Sequence, residues 1–245
     1  MVGLVVIFVV VYLQYFVKLG QIGGYLVVYG VPVVVVSLLC GREVLGRAAK
    51  NCRSAFQLGL GLFGAFTVLS LFLSAVAVAL LLRFNPQTLE VLSRPNPVLD
   101  VPPNVAWVMI LVSLLVVGPA EEYLFRGFMY GGLLRLAKGR RWLLLAVACS
   151  FLFAVVHGYY VVTYEVASVV PFITIIAFSV AMSITYYWSG GNLVAPAVIH
   201  GLYDATGFLG VATTAEVGLY ARGVLIFVGV VFAGVFLLQK LVVKP

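Results

Sequence analysis

The sequence predicts an all-α membrane protein, a polytopic transmembrane helical bundle of about eight spans. Three observations indicate this class: 64% of the residues are hydrophobic, only 9% are charged, and the mean hydropathy is +1.18. So little polar surface cannot cover a water-soluble globule, which excludes a soluble fold. The net charge of +7 does not call for nucleic acid as a partner, because Lys and Arg in membrane proteins mark the loops beside the anionic leaflet.

Eight apolar stretches predict the spans. They cover residues 2–17, 21–40, 58–82, 104–136, 142–160, 166–188, 193–209 and 224–238. The basic stretch 41–56 predicts an interfacial helix, and the proline-rich connection 83–103 predicts an extracytoplasmic loop with one short helix, TLEVL. We therefore expect a single integral membrane domain, 1–245. It divides into N-terminal spans with the interfacial helix and loop (1–103), core spans (104–209), and a last span with a basic tail (210–245).

The basic residues predict the orientation of the bundle. Two clusters, at 42–53 and 135–141, and the lysines of the tail together hold most of the fifteen Lys and Arg residues. By the positive-inside rule these segments are cytoplasmic, so both termini are expected on the cytoplasmic side of a cell membrane.

Three ionisable residues, Glu121, Glu122 and Arg126, lie near the middle of the fourth span, in GPAEEYLFRG. Inserting each of these side chains into hydrocarbon costs about 2.5–3.5 kcal/mol on insertion scales, so their presence within a span requires a structural or functional explanation. Glu122 and Arg126 are four residues apart and can pair on one helix face. Glu121 is turned away by about 100° and would point into the bundle as a desolvated general base. The alternative is a helix leaving the membrane here with solvated charges, but apolar residues continue beyond them.

Two prolines predict irregular backbone beside the polar residues. Pro119 cannot donate to the carbonyl of Leu115, so the fourth span should be kinked just before the glutamates. Pro196 leaves the carbonyl of Asn192 without its helical donor, which predicts a second opened helix.

The other ionisable residues within spans are His157 in the fifth span and His200 with Asp204 in the seventh. Taken singly, a buried histidine is more often structural, and His157 could also be interfacial. His200 and Asp204 share a face, which equally suits a structural pair between helices. Their combination with the glutamates favours a functional site. Straight helices would not bring His157 and His200 to one depth, so tilted or broken helices are required.

These residues also carry a family pattern. EEYLFR resembles the motif EExxxR, FAVVH resembles FxxxH, and HGLYD resembles HxxxN/D, in that order. The set is similar to the CPBP family of intramembrane proteases, named for CAAX proteases and bacteriocin-processing enzymes. The resemblance implies hydrolysis of a peptide bond near the C-terminus of a membrane-associated substrate, which is prenylated for eukaryotic members. The site would lie in the core spans and open to the cytosol.

The resemblance also implies roles for the acidic motif and the first histidine. Glu121 would be the general base that activates water, with His157 holding that water. Glu122 and Arg126 would form the supporting ion pair.

The third motif implies an oxyanion site made by His200 and Asp204. Many relatives have Asn at the position of Asp204, and an ionised Asp cannot donate a hydrogen bond to an oxyanion. Asp204 would have to be protonated, or else orient His200.

A metal is the alternative to glutamate-activated water. Glu121, His157 and His200 supply three ligands with a fourth position open for water, as in catalytic zinc sites. Against zinc, the sequence has no HExxH, and the ligands come from three helices. We expect that no cofactor is required.

Two other classes of protein keep such residues in membranes. An ion- or proton-coupled carrier would use the same Glu, His and Asp side chains as a relay beside broken helices, with an internal inverted repeat that the sequence does not show. An assembly partner would use them to join helices, and Glu121→Gln would then be harmless. The partners expected for the protease are a membrane-associated peptide or protein and the lipid bilayer, with no nucleic acid.

Overall fold

The computed structural model describes residue 5 and residues 21–46, 48–49 and 51–242, and every regular element in these ranges is helical. The predicted all-α class is confirmed. The span expected at 2–17, apart from residue 5, lies outside the described residues.

The described ranges hold a series of helices joined mostly by short connections. In chain order they are α1 (Gln21–Leu45), α2 (Cys52–Phe84), α3 (Thr88–Leu92), α4 (Pro103–Leu136), α5 (Trp142–Val155), α6 (Tyr159–Tyr164), α7 (Val169–Trp188), α8 (Val194–Ala212) and α9 (Ala215–Val242). The short helix predicted over TLEVL is α3. Helix α2 packs along α7 and α9, and α8 packs against α4, α9 and α2.

Four helical segments among the described residues are long and apolar enough to cross a membrane. They are Cys52–Phe84, Pro103–Leu136, Tyr159–Trp188 and Ala215–Leu238. Val28–Leu38 and Trp142–Val155 are apolar but shorter, and α8 is not in the set because its ionisable residues lower its hydropathy. The chain is a polytopic membrane protein, with fewer clear spans than the eight predicted.

The basic stretch 41–56 does not form the separate interfacial helix that its composition predicts. Residues 41–45 extend α1, and α2 begins at Cys52. The turn between them includes Asn51 in a left-handed conformation, with φ of 51°. The carbonyl of Ala48 accepts the backbone N–H of Leu193 at 2.9 Å. Contact with the start of α8 therefore outweighs the local tendency to continue one helix.

The irregular backbone predicted at Pro119 is present. Residues Ser113–Val117 form a π-helical segment, and the N–H of Gly118 bonds to the carbonyl of Ser113, five residues back. A second π-helical segment, Tyr123–Tyr130, follows the glutamates. Helix α4 thus continues through the proline by changing its hydrogen-bond pattern on both sides of Glu121 and Glu122.

The fifth span predicted at 142–160 ends earlier than expected. Helix α5 stops at Val155, and His157 lies in a tight turn before α6. The backbone N–H groups of His157 and Gly158 bond three residues back, at 3.0 and 3.1 Å. His157 is therefore a turn residue rather than a member of a continuous span.

The opened helix predicted at Pro196 is also not observed. Helix α8 begins at Val194, so Pro196 lies in its first turn, where a backbone N–H would have no helical partner in any case. The side-chain Oδ1 of Asn192 accepts the N–H of Ala195 at 2.9 Å and caps this end.

Close contact between α4 and α8 depends on two glycines. A Cβ added at Gly118 would lie 2.7 Å from the backbone N of Gly201, and one added at Gly201 would lie 2.8 Å from the Cα of Leu114. Glycine at both positions lets the two backbones touch, as small residues do in other membrane bundles. This contact places the start of the acidic motif beside His200.

We expect Gly201→Ala to destabilise the protein by about 1–3 kcal/mol, because the added methyl overlaps backbone atoms that cannot rotate away. The matched control is Gly234→Ala in α9, where an added Cβ meets nothing within 4 Å; this change should be neutral or slightly stabilising. The measurement is the unfolding midpoint in detergent. Equal midpoints for the two variants would contradict the proposed role of the contact.

Candidate active site

Four of the six predicted site residues line a single cavity of about 560 Å³. They are Glu121, His157, His200 and Asp204. The side chains come from α4, from the turn after α5 and from α8, which the sequence separates by tens of residues. The bundle therefore brings the three motifs to one cavity, and His157 reaches it from the turn that follows the early end of α5.

The other two predicted residues form a buried ion pair behind this cavity. Glu122 is 0% exposed and Arg126 is 1% exposed, and Arg126 Nη1 donates to Glu122 Oε1 at 2.9 Å. Arg126 Nη2 donates to the hydroxyl of Ser179 on α7 at 2.7 Å and to its carbonyl at 3.2 Å. The pairing predicted from the four-residue spacing is confirmed, and it also joins α4 to α7.

His200 connects the ion pair to the cavity. Its Nδ1 lies 2.8 Å from Glu122 Oε1. Because the Glu122 carboxylate is paired with Arg126, it accepts hydrogen bonds, and Nδ1 is the donor. The Nε2 atom of His200 then faces the cavity, 3.5 Å from Glu121 Oε2 and 3.5 Å from Asp204 Oδ2.

His200 Nε2 faces two acidic side chains, Glu121 and Asp204. A proton on Nε2 would point toward both carboxyl groups, whereas a lone pair there would be repelled by their oxygens. With both ring nitrogens protonated, His200 presents an N–H group to the cavity.

Glu121 differs from its neighbour in its surroundings. Its side chain is buried at 4% exposure, but Oε2 accepts no hydrogen bond from the described residues. Glu122 also has one oxygen without a hydrogen bond, but it does not line the cavity. Of the two glutamates, Glu121 is the one placed to contact water or a ligand.

His157 is held by its own backbone. Its Nδ1 lies 2.7 Å from the carbonyl oxygen of Phe153, which can only accept, so Nδ1 carries the proton. Neutral His157 therefore has its lone pair on Nε2. A ring fixed in this tautomer can accept a hydrogen bond from water in the cavity.

Phe153 is the common neighbour of the charged groups. Its ring centre lies 4.6 Å from the guanidinium carbon of Arg126, 4.7 Å from the His157 ring and 6.0 Å from the His200 ring. Phe178 of α7 covers His200 from another side at 4.9 Å. These rings limit the solvation of the ion pair, which strengthens its electrostatic interactions.

Several contributors were not predicted from the sequence. The hydroxyl of Ser179 accepts a hydrogen bond from Arg126, and the carboxylate of Glu122 accepts one from His200. The spacing of these residues along the chain predicts neither contact. The connection after α2 supplies part of the cavity wall through Leu92, Asn96 and Leu99. The two tyrosines after Gly158 could have been noted, since Tyr159 and Tyr160 also line the cavity.

The positions of the acidic and histidine side chains bear on the predicted metal alternative. Within the described ranges, no group of three His, Cys, Asp or Glu side chains is arranged to hold a metal ion. The set Glu121, His157 and His200 therefore does not fit a three-ligand site in this conformation, and His200 Nδ1 is already bound to Glu122. Whether a cofactor is required stays a prediction.

Removing the charge of Arg126 should destabilise the protein strongly. Arg126→Met leaves the Glu122 carboxylate buried without its cation, and we expect a loss of about 3–5 kcal/mol. The matched control is Arg94→Met, which breaks an ion pair of the same 2.9 Å length between exposed side chains, Arg94 and Glu165.

We expect Arg94→Met to cost no more than about 1 kcal/mol, because water screens that pair. Unfolding midpoints in detergent compare the two variants. A loss for Arg126→Met as small as that for Arg94→Met would show that the buried pair does not hold the site together.

Comparison with known proteins agrees with the motifs. Residues 103–206 match the model of a family described as type II CAAX prenyl endopeptidase Rce1-like. The match begins at the first residue of α4, ends in α8, and contains all six predicted site residues. No curated protein and no solved structure matches the chain. The resemblance to CAAX proteases is confirmed by this match, which covers residues 103–206 of the chain.

Proposed function

We propose that the protein is an intramembrane endopeptidase that hydrolyses a peptide bond near the C-terminus of a membrane-associated, prenylated substrate. The observation that supports this proposal is that Glu121, His157 and His200 line one cavity. The family match supports the reaction class, a peptide hydrolase. The core spans predicted at 104–209 would be the catalytic part of the chain.

Glu121 is the general base in this mechanism. Its side chain lines the cavity, and the carboxylate takes a proton from a water molecule there. His157 Nε2 accepts the other hydrogen of that water and holds its oxygen toward the substrate carbonyl. The water oxygen then bonds to the carbonyl carbon.

His200 stabilises the charge that develops on the carbonyl oxygen. Its Nε2–H group faces the cavity and donates to the oxyanion of the tetrahedral intermediate. Glu122 fixes the ring from behind through Nδ1. Collapse of the intermediate breaks the C–N bond, and Glu121 returns its proton to the leaving amine.

Asp204 acts on His200 rather than on the oxyanion. Its Oδ2 lies 3.5 Å from His200 Nε2 and its side chain is 30% exposed. A carboxylate in this position stabilises the imidazolium electrostatically, and this role requires no proton on Asp204.

We expect Glu121→Gln to lower cleavage of a prenylated peptide by about 10²–10⁴-fold, because an amide cannot take the proton from water. The near-isosteric change should leave the fold intact, as judged by the unfolding midpoint. The matched control is Glu165→Gln, at an exposed position outside the cavity, which should cleave at the wild-type rate. Each protein is assayed with and without a chelator, and the glutamate mechanism predicts no effect of the chelator.

A different outcome would favour the carrier. If the purified wild type cleaves no membrane peptide, and Glu121→Gln changes only ion flux into vesicles, the protease proposal is wrong. Loss of activity with chelator, restored by zinc, would instead replace the water-activation step by a metal mechanism.

A further inference from the structure

An arginine lines the cavity but has no part in the mechanism above. Arg222 lies early in α9, beyond the segment that matches the family model. Its Nε donates to the hydroxyl of Thr206 at 3.1 Å, and its guanidinium carbon lies 4.7 Å from the centre of the Tyr203 ring. These two contacts fix the guanidinium against α8.

The terminal nitrogens of Arg222 remain available to a ligand. In the part of the chain that the structure describes, Arg222 forms no ion pair, and its Nη atoms donate no hydrogen bond. An arginine among membrane helices normally faces an acidic partner or an aqueous cavity. Two parallel N–H donors on a fixed guanidinium match the geometry of a carboxylate.

The wall near Arg222 includes apolar side chains beside the polar groups that contact the guanidinium. Leu99 lies beside Gly207, and Phe208 lines the cavity one residue further on. Asp204 lies within 3.5 Å of His200 Nε2 and forms no ion pair with Arg222. This end of the cavity suits aliphatic side chains that precede a terminal anion.

We propose that Arg222 binds the C-terminal carboxylate of the substrate. The inference rests on the proposed function, because it takes the ligand of this cavity to be the peptide substrate. It makes Arg222 a specificity-determining residue, which selects peptides that end in a free carboxylate.

The experiment uses two prenylated peptides that differ only in a C-terminal carboxylate or carboxamide. We expect the wild type to prefer the carboxylate by about tenfold in kcat/KM, mainly through KM, which is the effect of one hydrogen-bonded charge pair. Arg222→Gln should bring this ratio close to one, and Arg222→Lys should keep part of it. Arg83→Gln, at an exposed arginine outside the cavity, should keep the wild-type ratio.

The outcomes separate this inference from the proposed function. Equal cleavage of both peptides by the wild type would overturn the role of Arg222 and leave the protease proposal standing; this comparison needs no variant to fold. A loss of equal size on both peptides in Arg222→Gln would show a purely structural role and also overturn it. Cleavage of neither peptide by the wild type would overturn both proposals.

Discussion

One buried charge pair, Glu122 with Arg126, determines where the rest of the site lies. Neither side chain is solvated, so each must keep its partners when the helices pack. Arg126 reaches Ser179 on α7, Glu122 reaches His200 on α8, and the ring of Phe153 on α5 lies against the guanidinium. A pair that begins on α4 therefore fixes the relative positions of three other helices, and the cavity is the space in front of it.

Neighbouring glutamates of α4 serve different purposes because successive residues of a helix point about 100° apart. Glu121 faces the cavity and Glu122 faces the buried cation, and π-helical segments lie before and after them. Widened turns change the direction in which successive side chains leave the helix. The glycine contact with α8 then brings the backbone of His200 close enough for a direct bond to Glu122.

Local rules were sufficient for some features. Hydropathy gave the ends of α4 to within one residue, turn residues located α3, and four-residue spacing predicted both the Glu122–Arg126 pair and the proximity of His200 to Asp204.

Other features depend on contacts between distant segments, which periodicity cannot contain. A hydrogen bond from the Leu193 N–H to the Ala48 carbonyl joins the chain after α1 to the start of α8, and α5 ends at Val155 within a stretch of apolar residues. Among the described residues, four helices are long and apolar enough to cross a bilayer, which is fewer than the eight predicted spans. The sequence around Ser179 and Arg222 does not predict that either residue lies at the site.

The tether between His157 and its own backbone has a consequence for assembly. The carbonyl of Phe153, four residues earlier, orients the His157 ring, whereas the carboxylate of Glu122 on another helix orients the His200 ring. Under the proposed mechanism, His157, which holds the water, is positioned by α5. His200, which binds the oxyanion, is positioned by the contact between α4 and α8. Under that mechanism, a chain in which only one of these units is in place lacks one of the two groups, so activity requires the complete bundle.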